Sequence, residues 1–319
     1  MREQRTLASL AVGDSFKGFL MVRSAEVRTD KRGKEYADLN LSDRSGEFNC
    51  KMWNPLRKIP AVSSVVWVEA EVQEFNGRLQ MKIELIRPPM TDETVDLAQL
   101  VSCAPETSEK MLAYIDKNID SFSSEKLKRL VRGMLRKAGD RLDYYPAAMR
   151  MHHAEKSGLL HHITDMLHVA EALLPCYPFL NGDLLKAGII VHDLAKIEEM
   201  SSDDLGNVSD YSRDGLLIGH LVRGVVNLEL VAKEEHIDGE YVELLEHMIL
   251  SHHGIPDYGS PKLPMFAEAI VLHMIDTLDA KMNEVKGIQD RTPCGAFSEK
   301  INSLDGRRMY HPNYNDEEE

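Results

Sequence analysis

The hydrophobic pattern of the chain changes near residue 90, and this change determines which folds each part can adopt. Before it, segments such as 15–22 and 65–72 are rich in β-branched and aromatic residues, which favours strands. Turn-forming residues separate such segments at 30–34, 43–46 and 76–78. Several short strands within residues 1–90 predict a small closed β-barrel, because closure removes exposed sheet edges.

From Thr91 onward, apolar residues recur at steps of three and four, as on the buried face of a helix. Ser108 and Ser124 stand where helix N-caps are expected. The predicted helices are 108–118, 124–138, 159–173, 183–194, 215–235, 239–251 and 264–285. We therefore expect a multidomain α and β protein. Its parts are a barrel domain (1–90), a helical linker region (91–150), an all-α domain (151–290) and a C-terminal tail (291–319).

Charge and cysteine content narrow the class of protein. The net charge of -14 argues against non-specific coating of nucleic acid, although residues 1–90 hold 15 basic against 12 acidic residues. The four cysteines are widely separated and form no CxxC pair, as expected for reduced thiols. The chain shows neither a signal peptide nor an apolar run long enough to span a membrane. We expect a cytoplasmic protein.

Histidine placement is the strongest functional signal. None of the 13 histidines precedes residue 152, and 12 of them lie between residues 152 and 273. The dipeptide His192-Asp193 lies at the end of the apolar helix predicted over 183–194. Neighbouring helical residues project about 100° apart, so the two can bind one ion, or the carboxylate can bridge two. Imidazole and carboxylate together suit divalent manganese, iron, cobalt, nickel or zinc.

The other candidate ligands lie on separate predicted helices, so a helical bundle must bring them together. They are His162, His220, one of the pair His252 and His253, and Asp276. His273 and Asp279 flank Asp276 by one turn each and are candidates for orienting the ligands. Lys196 lies three residues beyond Asp193, where it could meet a phosphate oxygen or form a simple surface pair with Asp193.

Several motifs carry a resemblance to a known family. In the helical part they are GLLHH (158–162), HDLAKIE (192–198), LIGH (217–220), MILSHHG (248–254), GSPK (259–262) and DTLDAK (276–281). In the barrel they are GKEY (33–36) and LSDRSGE (41–47). The helical part resembles the HD phosphohydrolase superfamily. Over residues 1–285 the chain is similar to the YhaM family of 3'-to-5' exoribonucleases, which join an N-terminal OB-fold to an HD domain.

This resemblance implies metal-dependent hydrolysis of single-stranded RNA, and of single-stranded DNA as a second substrate. Manganese is the expected ion, with cobalt, iron, nickel and zinc as alternatives, and one or two ions per site. Asp193 and Lys196 are the expected catalytic residues. The expected contacts to substrate are Lys196, Ser260 and Lys262 in the helical domain and Lys34, Arg44 and Trp53 in the barrel. Tyr36, Phe48 and Phe75 are further candidates for base stacking.

Two other functions stay open. The helical domain could hydrolyse mononucleotides or cyclic dinucleotides, although the barrel would then have no evident purpose. Alternatively, the protein could bind RNA without catalysis. The sequence also leaves open the choice between His252 and His253 and the oligomeric state, since the helices of residues 108–138 could pack between subunits of a homo-oligomer.

Overall fold

The chain divides into two compact units, Met1–Cys103 and Ala104–Glu319. The structure is a computed structural model, and it describes residues 4–30, 32–53, 59–75, 77–96, 99–101, 103–148, 155–203, 206 and 208–314. Lys31 of the first predicted turn, Asn76 of the third and the last residues of the predicted tail lie outside these ranges.

Five strands close the first unit into a barrel, as predicted. They are β1 (Ser15–Thr29), β2 (Glu35–Asp43), β3 (Gly46–Met52), β4 (Val65–Phe75) and β5 (Arg78–Arg87). Their order around the barrel is β1-β2-β3-β5-β4. Only the β3–β5 pair is parallel among these neighbours. The long first strand pairs with β4 through its first half and with β2 through its second half.

Alternating burial and local turn chemistry explain this barrel. Val66, Val68 and Val72 of β4 point into the apolar core, and their neighbours along the strand face outward. The β2–β3 turn is held by the carboxylate of Asp43, which accepts hydrogen bonds from the backbone N–H groups of Ser45 and Gly46 at 2.7 and 3.1 Å. The predicted turn at 43–46 is therefore confirmed.

Helices and one short hairpin form the second unit. The helices are α1 (Ser108–Asp120), α2 (Glu125–Ala138), α3 (Gly158–Leu173), α4 (Gly182–Val191), α5 (Lys196–Glu199), α6 (Arg213–Leu217), α7 (Gly219–Glu234), α8 (Glu240–Ser251) and α9 (Ala267–Gln289). The hairpin strands are β6 (Met200–Ser202) and β7 (Val208–Tyr211). Apolar faces of α1 to α4 and α7 to α9 share one buried core. No helix within the described ranges has both the length and the apolar character of a membrane span.

Three helix predictions need correction. Ser108 is the first residue of α1 rather than its N-cap, which is Thr107. The helix predicted over 215–235 is divided into α6 and α7 at Gly219, whose φ of +76° suits glycine and interrupts the regular helix. The helix predicted over 183–194 ends at Val191, so His192 and Asp193 stand in a turn that follows it.

Glu246 of α8 is a source of pH-dependent stability. Burial, a hydrogen bond with Glu229 and the charge of Glu243 raise the pKa of Glu246 to about 7 from 4.5. Because the pKa of Glu246 is higher in the folded protein than in the unfolded chain, the free energy of unfolding falls as pH rises from 4.5 to about 7. We expect Glu246→Gln to raise the free energy of unfolding at pH 8 by about 1 kcal/mol, allowing for partial exposure. Urea denaturation should show this gain shrinking toward pH 5. An equal gain at both pH values would contradict this account.

Candidate functional site

The His192-Asp193 dipeptide lies at the centre of the helical unit. It follows α4, whose residues Leu184 to Val191 are mostly buried and carry the dipeptide into the core. The ring of His192 is fully buried, and Asp193 is 1% exposed. His192 Nδ1 donates to the carbonyl of Ile189 at 2.8 Å. This bond leaves His192 Nε2 to face the carboxylate of Asp193, whose Oδ2 is 3.4 Å away.

A first group of ligand atoms surrounds one oxygen of Asp193. His162 on α3 places its Nε2 3.4 Å from His192 Nε2 and 3.9 Å from Asp193 Oδ2. Asp276 on α9 places Oδ1 3.3 Å from the same nitrogen of His162. Four candidate ligands from three regions of the sequence therefore lie close together.

A second group faces the other oxygen of Asp193. Asp193 Oδ1 lies 3.5 Å from His220 Nε2 on α7 and 3.4 Å from His252 Nε2 at the end of α8. The ring of His253 lies 5.2 Å from that of His220 and 4.3 Å from that of His252, between ring centroids. Each group contains three residues whose ligand atoms lie close enough to hold a metal ion: His162, His192 and Asp193 in one, and His220, His252 and His253 in the other.

Each of these five histidines uses Nδ1 to hold its ring in place. The Nδ1 acceptors are the carboxylates of Asp279 for His162 and Glu199 for His220, and the carbonyls of Ile189 for His192, Ile249 for His252 and Tyr258 for His253. A neutral imidazole that donates from Nδ1 carries its lone pair on Nε2. The fold therefore fixes the tautomer in which Nε2 can bind a cation, as is usual for histidines that bind metals.

The donor set fits a divalent metal ion. Asp193 Oδ1, His220 Nε2 and His252 Nε2 are fully buried and have no hydrogen-bond partner among the described residues. Leaving such a group unpaired costs about 1–3 kcal/mol, which a bound cation would offset. Nitrogen and carboxylate oxygen donors suit borderline divalent ions better than calcium or magnesium.

The pKa values of His162 and His252, one from each group, are shifted in opposite directions. Burial lowers the pKa of His252 to about 3, so its ring is neutral and able to act as a ligand. Burial disfavours a charge on His162, but hydrogen bonds with Asp276 and Asp279 outweigh this effect and raise its pKa to about 10. Burial disfavours a charge on Asp193 as well, but the positive charge of Lys196 outweighs this effect and keeps the pKa of Asp193 well below 3.8. A divalent cation bound at His162 would take the place of the proton that Asp276 and Asp279 stabilise on this ring.

Lys196 completes this arrangement. Its backbone N–H donates to the Asp193 carbonyl at 3.0 Å across a turn, and its Nζ lies 2.6 Å from Asp193 Oδ2. The contact arises from this turn rather than from one helix face. Since the Lys196 side chain is only 13% exposed, the two residues form a buried ion pair and not a surface pair.

Glu199 was not identified from the sequence. Its Oε1 accepts hydrogen bonds from both Nδ1 and the backbone N–H of His220, at 2.8 and 3.1 Å. The carbonyl of Glu199 accepts from Ser212 N at 2.8 Å, which attaches α5 to the start of α6. The sequence feature that could have identified Glu199 is its position one helical turn beyond Lys196, on the same side of α5.

Glu199→Ala should therefore weaken metal binding without removing a ligand. Without Glu199, the His220 ring loses its orientation and its fixed tautomer, and such orienting partners are typically worth about 10- to 100-fold in metal affinity. Isothermal titration with Mn²⁺ should show this loss, and Glu198→Ala on the same short helix is the matched control. Equal effects of the two substitutions would indicate a general disturbance of α5.

The remaining candidates of the helical unit occupy different positions. His273 Nδ1 donates to the carbonyl of His252 at 2.9 Å, so it supports that ligand's backbone. Ser260 is buried, and its hydroxyl has no hydrogen-bond partner among the described residues. Lys262 is exposed. Burial lowers the pKa of the neighbouring His247, and the positive charge of Lys262 lowers it further.

Most candidates of the barrel unit are exposed or lie in turns between its strands. Trp53 is 40% exposed, and its ring centroid is 5.1 Å from that of Tyr36. Lys34 and Arg44 are exposed and lie in the β1–β2 and β2–β3 turns. Phe48, in contrast, packs against the barrel core and is a poor candidate for stacking.

Comparisons with known proteins identify the barrel and the family to which the chain belongs. A family model described as an OB-fold nucleic acid binding domain matches residues 18–89. The chain is 38% identical over 315 residues to the 3'-5' exoribonuclease YhaM of Listeria monocytogenes, covering 98% of this chain and 99% of that protein. It is 38% identical to YhaM of Halalkalibacterium halodurans and 36% identical to YhaM of Bacillus subtilis, covering 95% or more of each chain. The resemblance in sequence is thereby confirmed, and the chain belongs to the YhaM family of 3'-5' exoribonucleases.

Proposed function

We propose that the protein is a metal-dependent exoribonuclease that degrades single-stranded RNA from the 3' end. The observation that carries the proposal is the buried cluster in which Asp193 Oδ1, His220 Nε2 and His252 Nε2 meet without hydrogen-bond partners among the described residues. The names of the similar proteins support the activity and its direction.

The proposed ligands form two sets that share Asp193. His162 and His192 face Asp193 Oδ2, with Asp276 next to His162, whereas His220, His252 and His253 lie on the side of Oδ1. These residues would hold one or two divalent ions, and Mn²⁺ is the ion that we propose. A divalent ion bound there would lower the pKa of water toward neutrality and offset negative charge on the phosphoryl group.

Residues of the chain itself would bind and orient the phosphodiester. The Lys196 ammonium, held by Asp193, would stabilise negative charge as it develops on a phosphoryl oxygen. Lys262 is exposed in the loop that follows His253 and would contact an adjacent phosphate, whereas the predicted contact through Ser260 is disfavoured because its hydroxyl is buried. Asp279 and His273 would keep His162 and His252 in place through the hydrogen bonds described above.

The barrel would bind the single strand. Trp53 and Tyr36 offer neighbouring aromatic rings for base stacking, and Lys34 and Arg44 offer positive charge for the backbone. Stacking distinguishes RNA from DNA poorly, so we propose that single-stranded DNA binds as well. Salt should weaken this binding, because phosphate contacts release counterions.

The direction of cleavage is tested with RNA labelled at the 5' end. Protein supplied with Mn²⁺ should produce a ladder of labelled fragments that shorten from the 3' end, while a circular RNA of the same sequence stays intact. Single-stranded DNA and cyclic dinucleotides are assayed in parallel. Cleavage of a cyclic dinucleotide with RNA left intact would refute the proposal in favour of a nucleotide hydrolase.

A further inference from the structure

We infer that the ring of Tyr258 is a stacking platform for the 3'-terminal base of the RNA. This inference rests on the proposed function and deepens it, because it identifies a residue that would position the end of the substrate at the metal cluster. Tyr258 lies in the loop between α8 and α9, where residues 256–258 form a short 3-10 helix.

The first argument is proximity to the histidine cluster. The carbonyl oxygen of Tyr258 accepts a hydrogen bond from His253 Nδ1 at 2.7 Å. His253 is the most exposed of the clustered histidines, with its ring next to those of His220 and His252. Tyr258 therefore stands directly beside the side of the cluster that opens to solvent.

The second argument is the exposure of the ring. Tyr258 is 69% exposed, and its side chain has no hydrogen bond or ring contact among the described residues. A single exposed aromatic residue is common on protein surfaces and means little alone. Here the exposed ring belongs to the residue whose backbone orients a proposed metal ligand, so a substrate at that ligand would come within its reach.

The third argument is the rigidity of the loop. Gly254, with φ of +83°, is so close to His273 that an added Cβ would lie 2.2 Å from that ring. Gly259, with φ of +96°, closes the 3-10 helix by donating to Pro256 O at 2.8 Å. Ser260 is buried immediately afterwards. A loop held at both ends fixes the position of the Tyr258 backbone beside His253, so less backbone entropy is lost when a base stacks on the ring.

The chemistry suits an enzyme that removes one nucleotide after another. Stacking on an aromatic face accepts every base, because each base has a π-face. A platform at the 3' end would place the terminal phosphodiester in the same position in each cycle, regardless of sequence. Hydrogen bonds to base edges would instead make degradation depend on sequence.

The experiment uses two RNAs that differ only in whether the 3'-terminal nucleotide carries its base. Removal of this nucleotide by the Mn²⁺-loaded full-length protein is measured as kcat/KM. We expect the wild type to prefer the base-bearing RNA by between about 5-fold and about 100-fold. Tyr258→Ala should lose this preference, whereas Tyr258→Phe, which keeps the ring, should retain it.

Phe179→Ala is the matched control, since Phe179 is 74% exposed in the loop between α3 and α4. It should retain the wild-type preference, and Mn²⁺ binding is measured for every variant. Equal cleavage of both RNAs by the wild type, or a preference that survives in Tyr258→Ala, would overturn the inference alone. Failure of the wild type to cleave either RNA would overturn the proposed function, and the inference with it.

Discussion

Asp193→Asn is expected to abolish both metal binding and RNA hydrolysis, lowering kcat/KM by roughly 1000-fold or more. The substitution preserves the shape of the side chain but removes the negative charge between the two groups of histidines. Both carboxylate oxygens are engaged in the site, with Oδ2 near His192 and Lys196 and Oδ1 near His220 and His252. An amide offers one oxygen and one N–H₂ donor, so one of the two groups would face a donor instead of a ligand.

Measurements of metal content and of RNA hydrolysis check this expectation together. Asp116→Asn removes the same charge from an exposed position on α1 and should leave both properties unchanged. Circular dichroism distinguishes loss of function from loss of fold. An Asp193→Asn protein that is folded, free of metal and still fully active would show that hydrolysis does not need the cluster.

Lys196→Ala is expected to separate catalysis from metal binding. Removing the ammonium should lower kcat by roughly 100-fold or more, since it would stabilise charge on the phosphoryl group. Metal binding should become tighter rather than weaker, because the Lys196 ammonium, 2.6 Å from Asp193 Oδ2, competes with a cation for that carboxylate. The Mn²⁺ affinity measured by titration should therefore rise, while kcat measured by steady-state kinetics should fall.

Lys186→Ala provides the matched control for Lys196→Ala. Lys186 lies on α4, is similarly buried and pairs with Glu171 instead of a proposed ligand, at 3.4 Å. Substitution there should affect neither the metal affinity nor kcat. If Lys196→Ala weakened Mn²⁺ binding, Lys196 would instead act mainly by holding Asp193 in place, and its proposed role toward phosphate would be wrong.

The sequence was sufficient to predict a β-barrel followed by a helical region, because each has a strong local signal. Alternating apolar residues such as Val66, Val68 and Val72 predict the strands, and the steps of three and four after Thr91 predict the helices. The break at Gly219 was missed because the apolar pattern continues through it, and only the backbone shows the positive φ.

The site was predictable only in part. Histidines confined to one region indicated which residues would meet, but hydrogen bonds between distant elements determine how each ring is oriented. Glu199 is an example of a site residue that the sequence does not reveal. Its role depends on a hydrogen bond with His220, which lies on the distant helix α7. For the same reason His252 and His253 could not be distinguished, and in the structure both rings lie in the cluster, His252 the more deeply buried.

The account depends most on the claim that the histidine–aspartate cluster binds the ion on which RNA hydrolysis depends. The direct measurement is a titration of metal-stripped protein with Mn²⁺, in which bound metal per chain and the rate of RNA hydrolysis are recorded on the same samples. We expect the rate of hydrolysis to rise in proportion to the metal bound. The Asp193→Asn protein should show neither bound metal nor RNA hydrolysis. Full hydrolysis by the metal-stripped protein, or unchanged Mn²⁺ binding by Asp193→Asn, would contradict the claim.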